Sequence, residues 1–182
     1  MIYKGNYKVT SPFGIRTLNG KPDNHKGVDF VGADKTIIAP CDGVIKSSTI
    51  IINKTNVTWE WGNYVRLDTL DSHKLFFCHL ASRAVKVGQI VKKGDIIGIE
   101  GNTGYSFGSH CHFEVRTLNN VSIDPIVYLN SINKTDRQIV QEECGYDDNT
   151  MRFLDTYKYS SELYKKIVKA INKKEGGEIR LF

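Results

Sequence analysis

The sequence predicts a mainly β chain, an antiparallel β sandwich or partly open barrel, followed by a small C-terminal α-helical appendage. Over the first 130 residues no segment keeps a helical spacing of apolar positions. Instead, many short runs rich in Val, Ile, Tyr, Phe and Thr are separated by Gly, Pro, Asn and Asp, the pattern of an all-β domain. After Asp124-Pro125 the period changes. Leu163, Tyr164, Ile167, Val168 and Ile171 recur three and four apart, as on one face of a helix. A chain of 182 residues has room for one domain and a small addition. We read 1–130 as the β domain and 131–182 as the helical appendage.

Taken in order, residues 7–16 read as a strand broken by Pro12 and Gly14, and residues 17–24 as a loop. His25 to Val31 reads as one extended run. Thr36–Pro40 and Val44–Ser47 flank Cys41-Asp42-Gly43, a hairpin signal. Residues 53–62 form a polar excursion holding Trp59 and Trp61, after which Asn63–Leu67 resumes a strand. Lys74–Leu80 is apolar on both faces and so predicts a strand buried within the sheet. Val87–Gly98 reads as two short runs separated by glycine turns, and Ile126–Leu129 closes the β region. Thr135-x-x-Gln138 is a capping box opening a helix that Gly145 stops. Residues 150–157 read as one or two helical turns, and Ser160 precedes the amphipathic helix. The residues around Gly176-Gly177 are expected to fray.

Composition narrows the function classes. No run of about 18 apolar residues occurs, so no membrane span is expected. The net charge of +5 suits loose attraction to an anionic surface such as a bacterial wall. No basic cluster interleaved with aromatics appears, which argues against a nucleic-acid partner. Residues 1–6 lack the charged and apolar stretches of a secretory signal, so synthesis in the cytoplasm is the expectation. Cys41, Cys78, Cys111 and Cys144 show no C-x-x-C spacing and read as reduced. Cys78 and Cys111 are expected to face inward.

The chemistry concentrates in two segments. Gly101, Gly104 and Gly108 run into His110-Cys111-His112-Phe113-Glu114. On a strand, side chains alternate faces, so His110 and His112 point the same way and Cys111 the other. Upstream, His25-Lys26-Gly27-Val28-Asp29 places His25 and Asp29 on one face if extended, and Gly27 leaves room for close approach. His25, Asp29 and one of the later histidines would supply three nitrogen and oxygen ligands. Three protein ligands with an open fourth position is the arrangement of catalytic zinc. His79 shares a face with Leu75 and Phe77 if Lys74–Leu80 is extended. It reads either as a core histidine or as a third imidazole at the site. His73 lies in a turn and receives no role.

These residues, in this order, resemble the M23 metallopeptidases, the lysostaphin- and LytM-like peptidoglycan endopeptidases. The resemblance covers roughly residues 8–130. It rests on His25-x-x-x-Asp29, Phe77-Cys78-His79-Leu80 and His110-Cys111-His112-Phe113-Glu114, together with Ser11-Pro12-Phe13-Gly14-Ile15-Arg16, Pro40-x-Asp42-Gly43-Val44, Trp61-Gly62-Asn63-Tyr64, Gly101-x-Thr103-Gly104 and Asp124-Pro125. By that resemblance His25, Asp29 and His112 hold Zn2+, His79 and His110 are the catalytic pair, and the substrate is peptide in bacterial peptidoglycan. Tyr105 and Trp61 are read as flanking a peptide groove. An alternative is a catalytically inactive relative that binds wall or partner proteins. Wall targeting or homodimerisation is expected of the helical appendage, and the chain is expected to be a phage or prophage lysin or else a piece of a larger secreted or virion protein.

Overall fold

The computed structural model describes residues 1–51, 53–56 and 58–174. In chain order it begins with β1 (Tyr7–Ser11), β2 (Gly14–Leu18), β3 (Lys21–His25), β4 (Val28–Gly32), β5 (Thr36–Ile38) and β6 (Gly43–Thr49). A 3-10 turn over Trp59–Trp61 precedes β7 (Tyr64–Thr69) and β8 (Lys74–Cys78). The short strands β9 (Ser82–Arg83), β10 (Ile90–Val91) and β11 (Ile96–Ile99) lead to β12 (Cys111–Arg116) and β13 (Ser122–Ile123). Four helices follow, α1 (Pro125–Ser131), α2 (Asp136–Cys144), α3 (Asp148–Asp155) and α4 (Ser160–Lys174). The chain divides into two compact units, one over Met1–Leu129 and a second from Asn130 onward.

Three antiparallel sheets build the first unit, and among the described residues none closes into a barrel. The largest runs β1-β4-β12-β8-β7-β6-β10, with β13 on β12; β5-β11-β9 form a second sheet and β2-β3 a third. Residues paired across antiparallel strands share a face. Val28↔Phe113↔Phe77↔Val65 and Val115↔Leu75↔Leu67↔Ile45 therefore form one apolar face, and all eight are fully buried. The opposite face carries Asp29↔His112↔Cys78 and Glu114↔Phe76↔Arg66. The sheet is thus apolar on one side and chemically armed on the other.

Several expectations are revised by competing local physics. Residues 17–24 are a hairpin rather than a loop: Asn19 and Gly20 turn with φ of 51° and 76°, the left-handed pair of a type I′ turn. The polar composition of Lys21-Pro22-Asp23-Asn24 hid the strand. Asp42-Gly43 is not a hairpin turn, because β5 joins β11 while β6 joins β7 and β10. Asp42 instead accepts from the Lys93 backbone N–H at 2.9 Å, and Gly43 lies where a Cβ would meet Asp68 O at 2.4 Å. The run from His25 to Val31 breaks at Lys26-Gly27. The strand at Lys74 ends at Cys78, and His79 takes φ of +62°. Ile126–Leu129 is helical, since Pro125 occupies the first turn and Asp124 Oδ1 accepts from the Ile126 N–H at 2.8 Å. Cys111 and Cys78 are both fully buried as expected, although Cys78 pairs with His112 and so lies on the armed face. All four cysteines are free.

In the second unit the capping box at Thr135 and Gln138 forms, and Gly145 ends α2 in the left-handed conformation. Val140, Met151 and Tyr164 make a small core of their own, with Cys144, Leu154, Ile167 and Val168 against it. The expectation for Gly176-Gly177 falls outside the described residues.

Two glycines separate strain from steric conflict. Gly20→Ala meets no atom within 4 Å and is expected to cost about 1 kcal/mol through its positive φ alone. Gly43→Ala has an ordinary φ but drives a methyl into Asp68 O, so its loss should be at least about twice as large. Urea unfolding of both variants measures the contrast.

Candidate functional site

Three elements deliver the central cluster. His25 ends β3, Asp29 lies on β4, and His112 sits directly opposite Asp29 on β12. His25 Nε2 lies 2.9 Å from His112 Nδ1 and 3.1 Å from Asp29 Oδ1. His112 Nδ1 lies 2.9 Å from the same oxygen. Among the described residues these three form the group whose ligand atoms all fall within 4.8 Å of one another. Ligands about 2.0–2.1 Å from a tetrahedral zinc stand about 3.3 Å apart, so the spacing is close to what that ion requires.

What lies behind each ring decides which nitrogen carries a proton. His25 Nδ1 is 2.7 Å from the Pro12 carbonyl and must donate to it, leaving the Nε2 lone pair facing inward. His112 Nε2 is 3.0 Å from Glu114 Oε1 and donates to it, leaving Nδ1 facing inward. Two imidazole lone pairs and a carboxylate oxygen therefore meet at one point, an arrangement that repels itself unless a cation occupies it. Burial opposes charge on His112, yet the hydrogen bonds and charges of Asp29 and Glu114 outweigh it and raise the ring to about 9. Burial likewise works against the Asp29 carboxylate, but His112 and His25 hold it well below the usual range. The donor set thus fits a divalent metal, with a proton on His112 serving the same electrostatic need when no metal is bound.

The other two predicted histidines stand beside this cluster. His79 and His110 have ring centres 4.7 Å apart, and His79 lies 5.9 Å from His112. His79 Nδ1 donates to Thr103 O at 2.8 Å, and His110 Nδ1 donates to Gly108 O at 2.8 Å. His110 Nε2 then points inward, 3.6 Å from Asp29 Oδ1. Leaving the strand at Cys78 is what swings His79 into place: its N–H bonds Trp61 O at 2.7 Å, with the positive φ as the cost of the turn. His73, the fifth histidine, packs against Tyr128 at 4.8 Å and takes no part.

A cleft of about 370 Å³ opens over the cluster, lined among others by Arg16, Leu18, Tyr105 and Phe107. Tyr105 is 47% exposed there. Trp61 is not in its lining; its ring packs on Phe76 and Tyr64, both at 5.2 Å. Sequence reasoning assigned no role to Arg16 or Glu114. Arg16 reaches Asp29 Oδ2 at 3.2 Å while also holding Asp23 and Ser11, so only Oδ1 is left for the histidines. Arg16 stands at the end of a segment that reads as a strand, but its pairing partner, residues 21–25, reads as mostly loop, so the hairpin that brings it to Asp29 is not foreseen. Glu114 shares the His112 face by the period of two, a signal that was available. Gly27, read as room for a ligand, makes room for the protein itself: a Cβ there would fall 2.9 Å from His112 Cε1 and 2.5 Å from Phe113 O.

The profile of Peptidase family M23 matches residues 23–125. The chain belongs to this family. Glycyl-glycine endopeptidase ALE-1 of Staphylococcus capitis is 31% identical over 169 residues, covering 91% of this chain and 42% of that protein. Peptidoglycan DD-endopeptidase ShyC of Vibrio cholerae is 37% identical over 111 residues, 59% of this chain and 24% of that one. The chain thus spans well under half the length of these M23 relatives. Among solved structures, the catalytic domain of lysostaphin from Staphylococcus simulans aligns with a TM-score of 0.59 and 33% identity, over 68% of this chain and 92% of that domain. The M23 fold accounts for the antiparallel sheets of the first unit.

The pH response of the metal-stripped protein follows from His79. Burial, then the neighbouring His110, lowers its imidazole from the ordinary 6.5 to about 4. The unfolded chain takes this proton near 6.5 and the folded chain only near 4, so stability present above about 6.5 is lost as pH falls through about 4. Urea unfolding between pH 4 and 7 should show the wild type losing stability relative to His79→Gln as acid is added; parallel curves would contradict the assignment.

Proposed function

We propose that this M23 chain is a zinc-dependent endopeptidase that hydrolyses peptide bonds of bacterial peptidoglycan, in the stem peptide or the cross-bridge. The observation that carries the reading is the meeting of three lone pairs from His25, Asp29 and His112, with two further imidazoles beside them. In this reading those three residues hold zinc, and His79 and His110 do the proton chemistry. Zinc, when bound, lowers the pKa of water toward about 7 and polarises an amide carbonyl.

The chain's own groups supply the rest. His79, with Nδ1 committed to the Thr103 carbonyl, is neutral at working pH and offers a lone pair to the proton of the attacking water. His110 has Nδ1 committed to Gly108 and Nε2 facing the cluster. It can stabilise the developing oxyanion as a donor and return a proton to the departing amine, or exchange these duties with His79. Such acid–base assistance commonly contributes about 10² to 10⁴ in rate. Tyr105, exposed at the cleft, flanks the bound peptide, and Trp61 acts from behind the site rather than in contact with substrate.

Residues 1–130 are read as the peptidase domain, and 131–182 as an appendage for wall targeting or homodimerisation. A phage or prophage lysin is the proposed biological setting, tested by whether expression inside a bacterium lyses it only when a membrane pore is supplied.

Purified peptidoglycan incubated with the protein should release new amino groups, and a chelator should abolish the release. Mass spectrometry of the fragments identifies the bond. His79→Ala and His110→Ala are expected to keep stoichiometric zinc while turnover falls at least about 100-fold. Asp29→Ala and His112→Ala should lose both. Full activity in His110→Ala would contradict its role. Deleting residues 135–182 should lower retention on purified walls, or lower the sedimentation coefficient beyond the lost mass; no change in either removes both proposed roles of the appendage.

A further inference from the structure

Each of the four imidazoles at the site commits one nitrogen to an acceptor behind it. For His25, His79 and His110 that acceptor is a backbone carbonyl, of Pro12, Thr103 and Gly108. His112 alone uses a carboxylate. Glu114 is 2% exposed, and burying a carboxylate is unfavourable unless both of its oxygens are engaged. Here they are: Oε1 accepts from His112 Nε2 at 3.0 Å, and Oε2 accepts from Arg116 Nε at 2.6 Å and from its Nη2. The guanidinium is clamped in turn, 4.9 Å from the Phe76 ring centre and 5.2 Å from that of Trp61. Trp61 meanwhile accepts the His79 N–H through its carbonyl, so one residue braces both the metal arm and the catalytic arm.

The contrast between carbonyl and carboxylate has a chemical consequence. His25 is placed by a backbone that cannot turn away. The His112 ring projects from a strand whose neighbours on that face are side chains, so its orientation depends on what accepts its outer N–H. A carboxylate there fixes the tautomer, makes the inner nitrogen a better donor, and balances charge on a cation bound in front. Building on the zinc reading above, we propose that Glu114 is the positioning residue of the metal centre: it holds His112 with Nε2 protonated and Nδ1 presented to the metal, while Arg116 and Trp61 hold Glu114.

Zinc affinity measured by competition with a chromophoric chelator tests this, on metal-stripped protein whose folding is checked by circular dichroism. Glu114→Ala is expected to bind zinc about 10- to 100-fold more weakly than the wild type. Glu114→Gln, which retains an acceptor oxygen, should fall between the two. In zinc-loaded wild type, ring ¹⁵N spectra should place the His112 proton on Nε2. This measurement needs no variant and decides the question should Glu114→Ala not fold. Affinity within about twofold of wild type in folded variants, or a His112 proton on Nδ1, overturns the inference while leaving the zinc reading intact. Failure of the wild type itself to bind zinc overturns that reading and this inference with it.

Discussion

The constraint on which the site depends is electrostatic. Two imidazole nitrogens and a carboxylate oxygen held 2.9 to 3.1 Å apart need a shared cation, because each ring has its other nitrogen committed behind it; with no metal bound, a second proton on His112 supplies that charge. Asp29 is further pinned by Arg16 through its other oxygen, so the carboxylate cannot rotate to relieve the repulsion. A bound divalent metal would meet the same need without that proton.

The large sheet makes that imposition possible. Its buried face, from Val28 across Phe113 and Phe77 to Val65, is continuous over four strands and fixes the register. A slip of one residue would send those side chains to the other face and bury the histidines. Apolar packing on one side therefore sets the alignment of Asp29 with His112 on the other. The His79 and His110 side of the cluster is built differently, from loops. His79 and His110 both lie just outside their strands, held by carbonyls of the segment 101–108, and the turn at Trp61 anchors His79 from the far side.

Much of this was legible from residues. The alternation in His110-Cys111-His112 places both imidazoles toward the cluster, and the capping box at Thr135 and the spacing from Leu163 to Ile171 mark two helices where they form. Lys74 to Cys78 is the central buried strand its composition suggests. Other parts were illegible for identifiable reasons. The β2–β3 hairpin is polar because its strands lie outside the main sheet, so apolar alternation cannot reveal it. Asp42-Gly43 carries a hairpin signature, but the strands it joins find partners elsewhere. The departure of His79 from its strand depends on a carbonyl contributed by Trp61, 18 positions earlier in the chain.

By itself the sequence determined the class of the fold, the family resemblance and the chemical types gathered at the site, because periodicity and residue identity are local properties. Tertiary structure alone decided which nitrogen of each histidine faces inward, which oxygen of Asp29 is available, and that Trp61 stands behind the site. Those assignments are fixed by hydrogen-bond acceptors drawn from distant segments, and a proton's position on an imidazole depends on what it meets in space rather than on its neighbours in the chain.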